Sequence, residues 1–480
     1  MTMHAQHFVA NRLMAPDSGM RIKVFDPSTG APFAEIARGN ATDINAAVYA
    51  ARQAFDGVWG ALAAAERGRL LTDLARKLAE HEAELAALEA RDTGKPLSQA
   101  HADARAIARY FEFYAGAADK LHGQTIPYQN GYTVLTVREP HGVTGHIVPW
   151  NYPLQIFGRS VGAALAAGNA SVVKPAEDAC LSLLRVAELA AEVGLPEGAL
   201  NVVTGYGHEA GAALARHPGI DHLSFTGSPQ TGRMVAQMAA ENHVPVTLEL
   251  GGKSPQIVFA DADVDALVPV VVRGIVQNAG QTCSAGSRLL VERPLYDALL
   301  DRLAMVFESL RVGPAEQDLE CGPLISRKQQ QRVWDFVSDA QHAGIPVMAQ
   351  GQIVADAPET GYYQVPMLLR DVPATHRLAQ EEVFGPLLAA MPFDDEQDAI
   401  ALANGTPYGL VAGIWTRDGA RQLRLARKVR AGQVFINNYG AGGGVELPFG
   451  GSGQSGHGRE KGFEALYGFT TLKTIAIHHG

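Results

Sequence analysis

The sequence predicts an α/β protein built on parallel sheets, and three observations carry that prediction. From about residue 142 onward, short β-branched or apolar runs alternate with stretches of helical periodicity. Glycines fall where those runs hand over to helices. The chain has 480 residues, 47% of them hydrophobic, which is ample for a large core and long for one compact domain. Two or three domains are therefore expected.

Residues 42–120 read as helical. "TDINAAVYAARQAFDGVW" opens on Thr42 or Asp43 as a capping residue and repeats apolar residues at helical spacing. "AERGRLLTDLARKLAEHEAELAALEARDTG" continues the pattern, with Gly94 as the C-terminal cap. The charges of this region read as a solvated helix face. "YTVLTVREP" (132–140) is an isolated β run.

The alternation follows. "ASVVKP", "LNVVTG", "IDHLSFTG" and "VPVTLEL" read as strands. "DACLSLLRVAELAAEVG", "GHEAGAALARHPG" and "SPQTGRMVAQMAA" read as the helices between them. Such a sheet is covered on both faces, and its ligands bind beyond the carboxyl ends of the strands. A second alternating region begins at "PQIVFA", with a helix from about Val264 to Gln277, the strand "SRLLVE" and a helix near 295–311. "NNYGAGGGVELPFGGSGQSGHG" reads as loop, and "ALYGFTTLKTIAIHH" as a terminal strand. The two isolated β runs are expected to pair or to extend a partner's sheet.

Forty basic and fifty acidic side chains give a net charge of −10, and no Lys/Arg-rich run stands out. Nucleic acid and anionic membrane surfaces are thereby excluded as expected partners. The N-terminus lacks a basic stretch followed by an apolar run, so no signal peptide is expected. No uninterrupted apolar stretch reaches the roughly 18 residues of a membrane-spanning helix. Three cysteines, Cys180, Cys283 and Cys321, make a disulfide framework unexpected and point to the cytoplasm. Their spacing offers no metal site.

Cys283 stands in "NAGQTCSAGSR", among small and polar residues, where a buried structural cysteine is out of place. As a thiolate it would be a nucleophile. Glu249 ends an apolar strand in "TLELGGKSP", so it is either paired or has a raised pKa that suits a general base. Lys174 and Glu177 follow a strand end in "VVKPAE"; the lysine suits a phosphate or ribose, and the glutamate suits ribose hydroxyls while repelling a 2′-phosphate. Gly205, Gly207 and Gly211, and then Gly227 and Gly232, mark two junctions where a phosphate could approach backbone N–H groups.

Together these segments resemble the NAD(P)-dependent aldehyde dehydrogenase superfamily. The resemblance runs through "PWNYP" (149–153), "VVKPAE" (172–177), "FTGS" (225–228), "LELGGKSP" (248–255), "GQTCSAGSR" (280–288), "EEVFGP" (381–386) and "LPFGGSGQSGHGRE" (447–460). It implies an aldehyde-dehydrogenase-like fold. A Rossmann-type NAD-binding domain would take residues 1–120 and 142–250, and a catalytic domain 251–452. A small bridging element for dimer or tetramer formation would take 121–141 and 453–480.

The resemblance also implies oxidation of an aldehyde to its acid with NAD, NADP being possible. Cys283 would be the nucleophile, Glu249 the base for water, and Asn151 with the Cys283 N–H the oxyanion donors, with Lys174 counted among the catalytic as well as the cofactor residues. Lys174 and Glu177 would hold the adenosine ribose. Gly207, Gly211, Phe225, Gly227 and Ser228 would lie along the cofactor, Ser228 at the pyrophosphate. Val148, Pro149, Trp150 and Leu250 would line the cleft, and Glu382 and Phe384 would hold the nicotinamide ribose and ring. Tyr152, Arg159 and Phe449 would face the substrate.

Arg159 stands where many relatives carry tryptophan. A semialdehyde or an aromatic aldehyde held by Arg159 is thus the alternative substrate, and a pair between Arg159 and a protein carboxylate away from the tunnel the alternative role. The glycines of "YGAGGG" (439–444) are expected to widen the tunnel mouth. A silent binding protein or an esterase on the same fold are the alternative classes.

Overall fold

The computed structural model describes residues 5–440 and 444–480. The expected alternation forms two large sheets. In the first, Leu200–Val202, Ala170–Pro175, Val143–Val148, His222–Thr226 and Val246–Glu249 lie side by side and parallel. In the second, Met367–Leu369, Leu387–Phe393, Arg288–Glu292, Pro255–Val258, Val411–Trp415 and Gln433–Ile436 are parallel, with Val347–Gln350 added antiparallel at one edge. Both sheets read as near-continuous apolar strands because helices cover both faces. Each has its own apolar core.

The helical region resolves into Ala41–Asp56, Val58–Ala61, Ala64–Glu80, Glu82–Thr93 and Leu97–Ala117. The first cap differs from the expected Thr42 or Asp43. Asn40 is the cap, its side chain accepting from the Thr42 and Asp43 N–H groups, while the Asp43 carboxylate accepts from the Asn40 N–H. This reciprocal box satisfies otherwise orphaned donors at the helix start. Gly94 caps as expected, at φ 77. The charges here are not all solvated: Glu89, Asp92 and Asp103 are buried. They lie on the apolar faces of their helices, where other elements cover them.

Two local features were not legible as such. The stretch "GHEAG" is a π-turn, Gly207–Gly211, before the short helix Ala212–Ala215. Residues 7–37 form strands: His7–Val9 and Arg12–Met14 extend the first sheet, and Arg21–Phe25 pairs with Pro32–Ala37. The hairpin's turn reaches the second half of the chain, where the Tyr363 hydroxyl donates to the Ser28 carbonyl at 2.7 Å.

The isolated β runs pair with each other. Thr470–His478 runs antiparallel to Tyr132–Pro140 from Thr470↔Pro140 to His478↔Tyr132, and Gln124–Ile126 completes a third sheet. Part of the expected bridging span goes elsewhere: Gly456–His457 pairs with Leu248 and Glu249 at the edge of the first sheet. Among the described residues no helix is long and apolar enough to cross a membrane.

Candidate active site

Parallel strands align their carboxyl ends, and four of those ends meet at one place. Val148 leads through Pro149, Trp150, Asn151 and Tyr152 into the helix Pro153–Ala167. Lys174 sits near the end of its strand, Thr226 leads to Gly227 and Ser228, and Glu249 is the last residue of its strand. From the second half of the chain, the loop bearing Cys283 and the segment bearing Glu382 and Phe384 approach the same place.

The Cys283 loop is pinned to the Asn151 turn. Asn278 and Ala279 take left-handed conformations, φ 49 and 52, turning the chain out of the helix Val264–Val276. The Asn278 amide donates to the Asn151 carbonyl at 2.9 Å, and the Asn151 amide donates to the Gln281 carbonyl at 3.0 Å. One amide hydrogen of Asn151 is therefore engaged, leaving the other to point elsewhere. The Tyr152 and Thr282 hydroxyls share a hydrogen bond of 2.8 Å. Beneath lies Lys95, whose ammonium donates to the Asn151 carbonyl at 3.0 Å and pairs with Glu89 and Asp103. A buried cation with two carboxylates and a carbonyl is a rigid prop, since removing one partner strands the others without water.

Cys283 is half-buried. Burial pushes its thiol up to about 12, opposed by the charge of Arg159. Glu249 is buried, and its oxygens accept no hydrogen bond from the described residues. Burial first and Glu460 second hold its pKa well above the usual carboxylate range, while Arg159 and Arg459 pull the other way. Of the two readings left open for Glu249, the unpaired one fits the structure, since no described residue hydrogen-bonds its carboxylate. Gly450, at φ 153, leaves no room for a side chain: a Cβ there would lie 2.7 Å from the Glu249 carboxylate.

A cavity of about 410 Å³ opens on Cys283, bounded by Asn151, Tyr152, Arg159 and Phe449 together with Tyr110 and Tyr439. Arg159 is buried and ion-paired with Glu460, which also accepts from the Ser224 hydroxyl at 2.8 Å. Its guanidinium lies 5.0 Å from the centre of the Phe449 ring. The protein pair weighed for Arg159 is thus present, but at the cavity wall rather than away from it. Ala441, Gly442 and Gly443 of the expected wide mouth lie outside the described residues. Tyr439, before them, turns its hydroxyl to the Ser284 carbonyl at 2.6 Å.

On the other side of the strand ends, Lys174 is buried and bonded to Glu177 at 2.9 Å. Against the upward push of burial, Lys174 holds the Glu177 carboxyl below its usual range. Gly211 lies beside the Lys174 stem, and Gly207 faces open space. The Ser228 hydroxyl caps the helix Pro229–Ala240 by accepting from the Thr231 N–H at 3.2 Å. Phe225 and Leu250 are buried under Gly227 and Gly232, so their side chains support the glycines, and Val148 is buried as well. Trp150 and Phe384 meet edge to face, 5.4 Å between ring centres. The Glu382 carboxylate accepts from the Gly252 N–H at 2.9 Å, and burial pushes its pKa up to about 7.

Of the expected residues, Asn151, Tyr152, Arg159 and Phe449 line one cavity with Cys283, and Glu249 and Glu382 are near enough to Cys283 for their charges to interact. Sequence reasoning missed Lys95, Asp103, Tyr110, Asn278, Tyr439 and Lys461. A signal existed for the Lys95 cluster: Glu89 recurs at helical spacing from the buried Leu85 and Ala86. Among the described residues no group of three or more His, Cys, Asp or Glu side chains could hold a metal ion.

The profile of the "Aldehyde dehydrogenase family" matches residues 14–475. A hydroxyisobutyraldehyde dehydrogenase from Mycolicibacterium austroafricanum is 42% identical over 98% of this chain and 93% of its own. The crystal structure of a putative aldehyde dehydrogenase from Burkholderia cenocepacia superposes with a TM-score of 0.99 at 77% identity, covering 99% of this chain and 100% of that one. An NAD+ complex of an aldehyde dehydrogenase from Bacillus cereus superposes with a TM-score of 0.96 at 40% identity, covering 99% and 97%.

Proposed function

The chain belongs to the aldehyde dehydrogenase family and oxidises aldehydes with NAD, and we propose that Cys283, Asn151 and Glu249 carry that reaction. The observation that supports this most is the buried Glu249 carboxylate, bonded by no described residue, near enough for its charge to act on Cys283, the only half-buried thiol among three cysteines. The residues present fit a dinucleotide. Lys174 and Glu177 stand at a parallel strand end, Gly207 faces open space, and Ser228 heads a twelve-residue helix whose N-terminus favours an anion. The carboxylate of Glu177 repels a 2′-phosphate and so favours NAD over NADP. Glu382, Phe384 and Trp150 lie toward Cys283 and suit the nicotinamide end.

The Cys283 thiol loses its proton to solvent, its sulfur attacks the aldehyde carbon, and the carbonyl oxygen becomes an oxyanion. The second amide hydrogen of Asn151 and the Cys283 backbone N–H take that charge. Lys95 and Asn278 hold Asn151 in place while they do so. When bound, NAD supplies the acceptor for the hydride that leaves this carbon, and a thioester to Cys283 remains. Glu249 then takes a proton from water as the water oxygen bonds to the thioester carbon. The carbon–sulfur bond breaks, the acid departs and the thiol is restored. The remaining assignments follow: 1–120 and 142–250 as the cofactor domain, 251–452 as the catalytic domain, and a bridging element drawn from 121–141 and 453–480. The strand Gly456–His457 limits that element, because it belongs to the first sheet.

The test is NADH formation from an aldehyde. Cys283→Ala should abolish it while NAD binding persists, and Cys180 or Cys321 variants should keep most of it. Normal turnover by Cys283→Ala overturns the mechanism. Equal or better efficiency with NADP removes the part given to Glu177.

A further inference from the structure

Arg159 is in reach of both groups that the proposed reaction needs. It lies on the helix Pro153–Ala167, about two turns beyond Asn151, and lines the cavity that opens on Cys283. Its Nη2 donates to the Thr226 hydroxyl at 3.3 Å, and Thr226 is the neighbour of Glu249 across the first sheet. Its Nε is ion-paired with the fully buried Glu460, which also accepts from the Ser224 hydroxyl at 2.8 Å. The guanidinium is thus held over the Phe449 ring by partners on three other segments. A guanidinium keeps its charge inside a protein. Burial acts most on the Cys283 thiol and raises it; Arg159 is the strongest charge acting on it and opposes burial, while Glu382 and Glu249 add to the rise. Lys461 is a second cation in reach of the sulfur, and Tyr152 and Tyr439 are the titratable hydroxyls in reach. With little water at the wall, such charges act more strongly than in solvent.

We propose that the Arg159–Glu460 pair sets the reactivity of Cys283: the guanidinium favours negative charge on the sulfur, and Glu460 fixes the guanidinium at the cavity wall and tempers its field. The proposal rests on the reading of Cys283 as nucleophile. The S–H bond breaks with its proton going to solvent, and the electron pair stays on sulfur under the influence of the cation until it bonds to the aldehyde carbon. Arg159 therefore serves the nucleophile and not a carboxylate on the substrate, so a neutral aldehyde needs it as much as a charged one. Against burial and Glu460, the same guanidinium favours the ionised form of Glu249, which the water step requires.

The experiment reads the sulfur directly. Iodoacetamide, which is uncharged, alkylates a thiolate with loss of iodide. Its rate at Cys283 is followed near neutral pH by peptide mass spectrometry in wild type, Arg159→Met, Arg159→Lys, Glu460→Gln and the double variant Arg159→Met/Glu460→Gln. Arg159→Met should slow alkylation about tenfold, as for removal of an opposite charge close to a thiolate. Arg159→Lys should recover part of that rate. Glu460→Gln, nearly the same in shape, should speed alkylation, because the guanidinium is then unopposed. A structural role alone would not give opposite signs. A rate in Arg159→Met within twofold of wild type overturns the proposal, and so does slowing in Glu460→Gln. Breaking a buried pair on one side strands the other charge. If a single variant fails to fold, the double variant decides: it should alkylate more slowly than wild type, since Arg159 lines the cavity and Glu460 is fully buried. An equal rate there overturns the proposal. First-turnover NADH from butanal and from succinate semialdehyde is measured in parallel. Equal losses from both in Arg159→Met support the proposal; a loss confined to succinate semialdehyde makes Arg159 a substrate ligand and overturns it. NADH formation by enzyme whose Cys283 is fully alkylated strikes instead at the reading of Cys283 as nucleophile.

Discussion

Glu249 shows how burial sets chemistry at a single residue. A carboxylate with no hydrogen-bond donor holds its proton more tightly, which makes it a stronger base once ionised. The sign follows from the base role proposed for Glu249: only an ionised carboxylate can take a proton from water. Steady-state turnover should therefore rise with pH through a window above the ordinary carboxylate pKa of about 4.3. Glu249→Gln should slow turnover by roughly 10²–10⁴-fold and remove that rise. A burst of NADH in the first turnover should survive, because acylation precedes the step Glu249 serves. An unchanged steady-state rate would remove Glu249 from the mechanism. Burial pushes the Cys283 thiol the same way, upward, and the charge of Arg159 opposes it.

Between the two sheets, the turn after Val246–Glu249 joins nucleophile and cofactor side. Its adjacent glycines separate the two jobs. A Cβ on Gly252 would lie 2.4 Å from the Cys283 carbonyl oxygen, so the backbone of the nucleophile loop would have to move. A Cβ on Gly251 would lie 2.4 Å from the Glu382 carboxylate, the far end of a flexible side chain. Steady-state kinetics of the two alanine variants should differ accordingly. Gly252→Ala should lower kcat by about tenfold or more, given how steeply catalysis depends on nucleophile position. Gly251→Ala should act mainly on KM for NAD. The reverse pattern would mean that Cys283 and Glu382 do not divide the work in this way. The helices Glu82–Thr93 and Leu97–Ala117 matter here as well, because they carry Glu89 and Asp103 to Lys95 and so brace Asn151.

At the scale of the molecule, the two large sheets bury their strands and the third does not. Beyond Thr470, every residue of Thr470–His478 is exposed. Leu472 on one face and Ile475 and Ile477 on the other are among them. An edge strand with apolar side chains exposed on both faces invites pairing with another chain. The protein should therefore be a homo-dimer or homo-tetramer. Light scattering at micromolar concentration checks this, and a monomer alone would count against it. Replacing Leu472 and Ile477 by glutamate should shift the same measurement toward smaller species.

Much of this was already written locally. Strand and helix alternation follows from side-chain periodicity, and the carboxyl-end location of the cleft follows from parallel pairing. Cys283 among small residues and Glu249 at an apolar strand end were legible because each contradicts its surroundings. What stayed hidden depends on what the chain brings opposite a residue. Lys95 and Glu89 resemble solvated helix charges until Asn151, 56 positions on, lies above them. Arg159 resembles a substrate ligand until Glu460 meets it, and Glu460 itself is bonded to Ser224, 236 positions away. Lys461 follows a glycine-rich loop, and only the fold buries it beside Cys283. The sequence by itself determined the family and the order of strands and helices, and it singled out the residues proposed as nucleophile and base. The tertiary structure decided which charges are buried and which partners neutralise them, because burial and pairing arise from contacts between distant segments that no local pattern encodes.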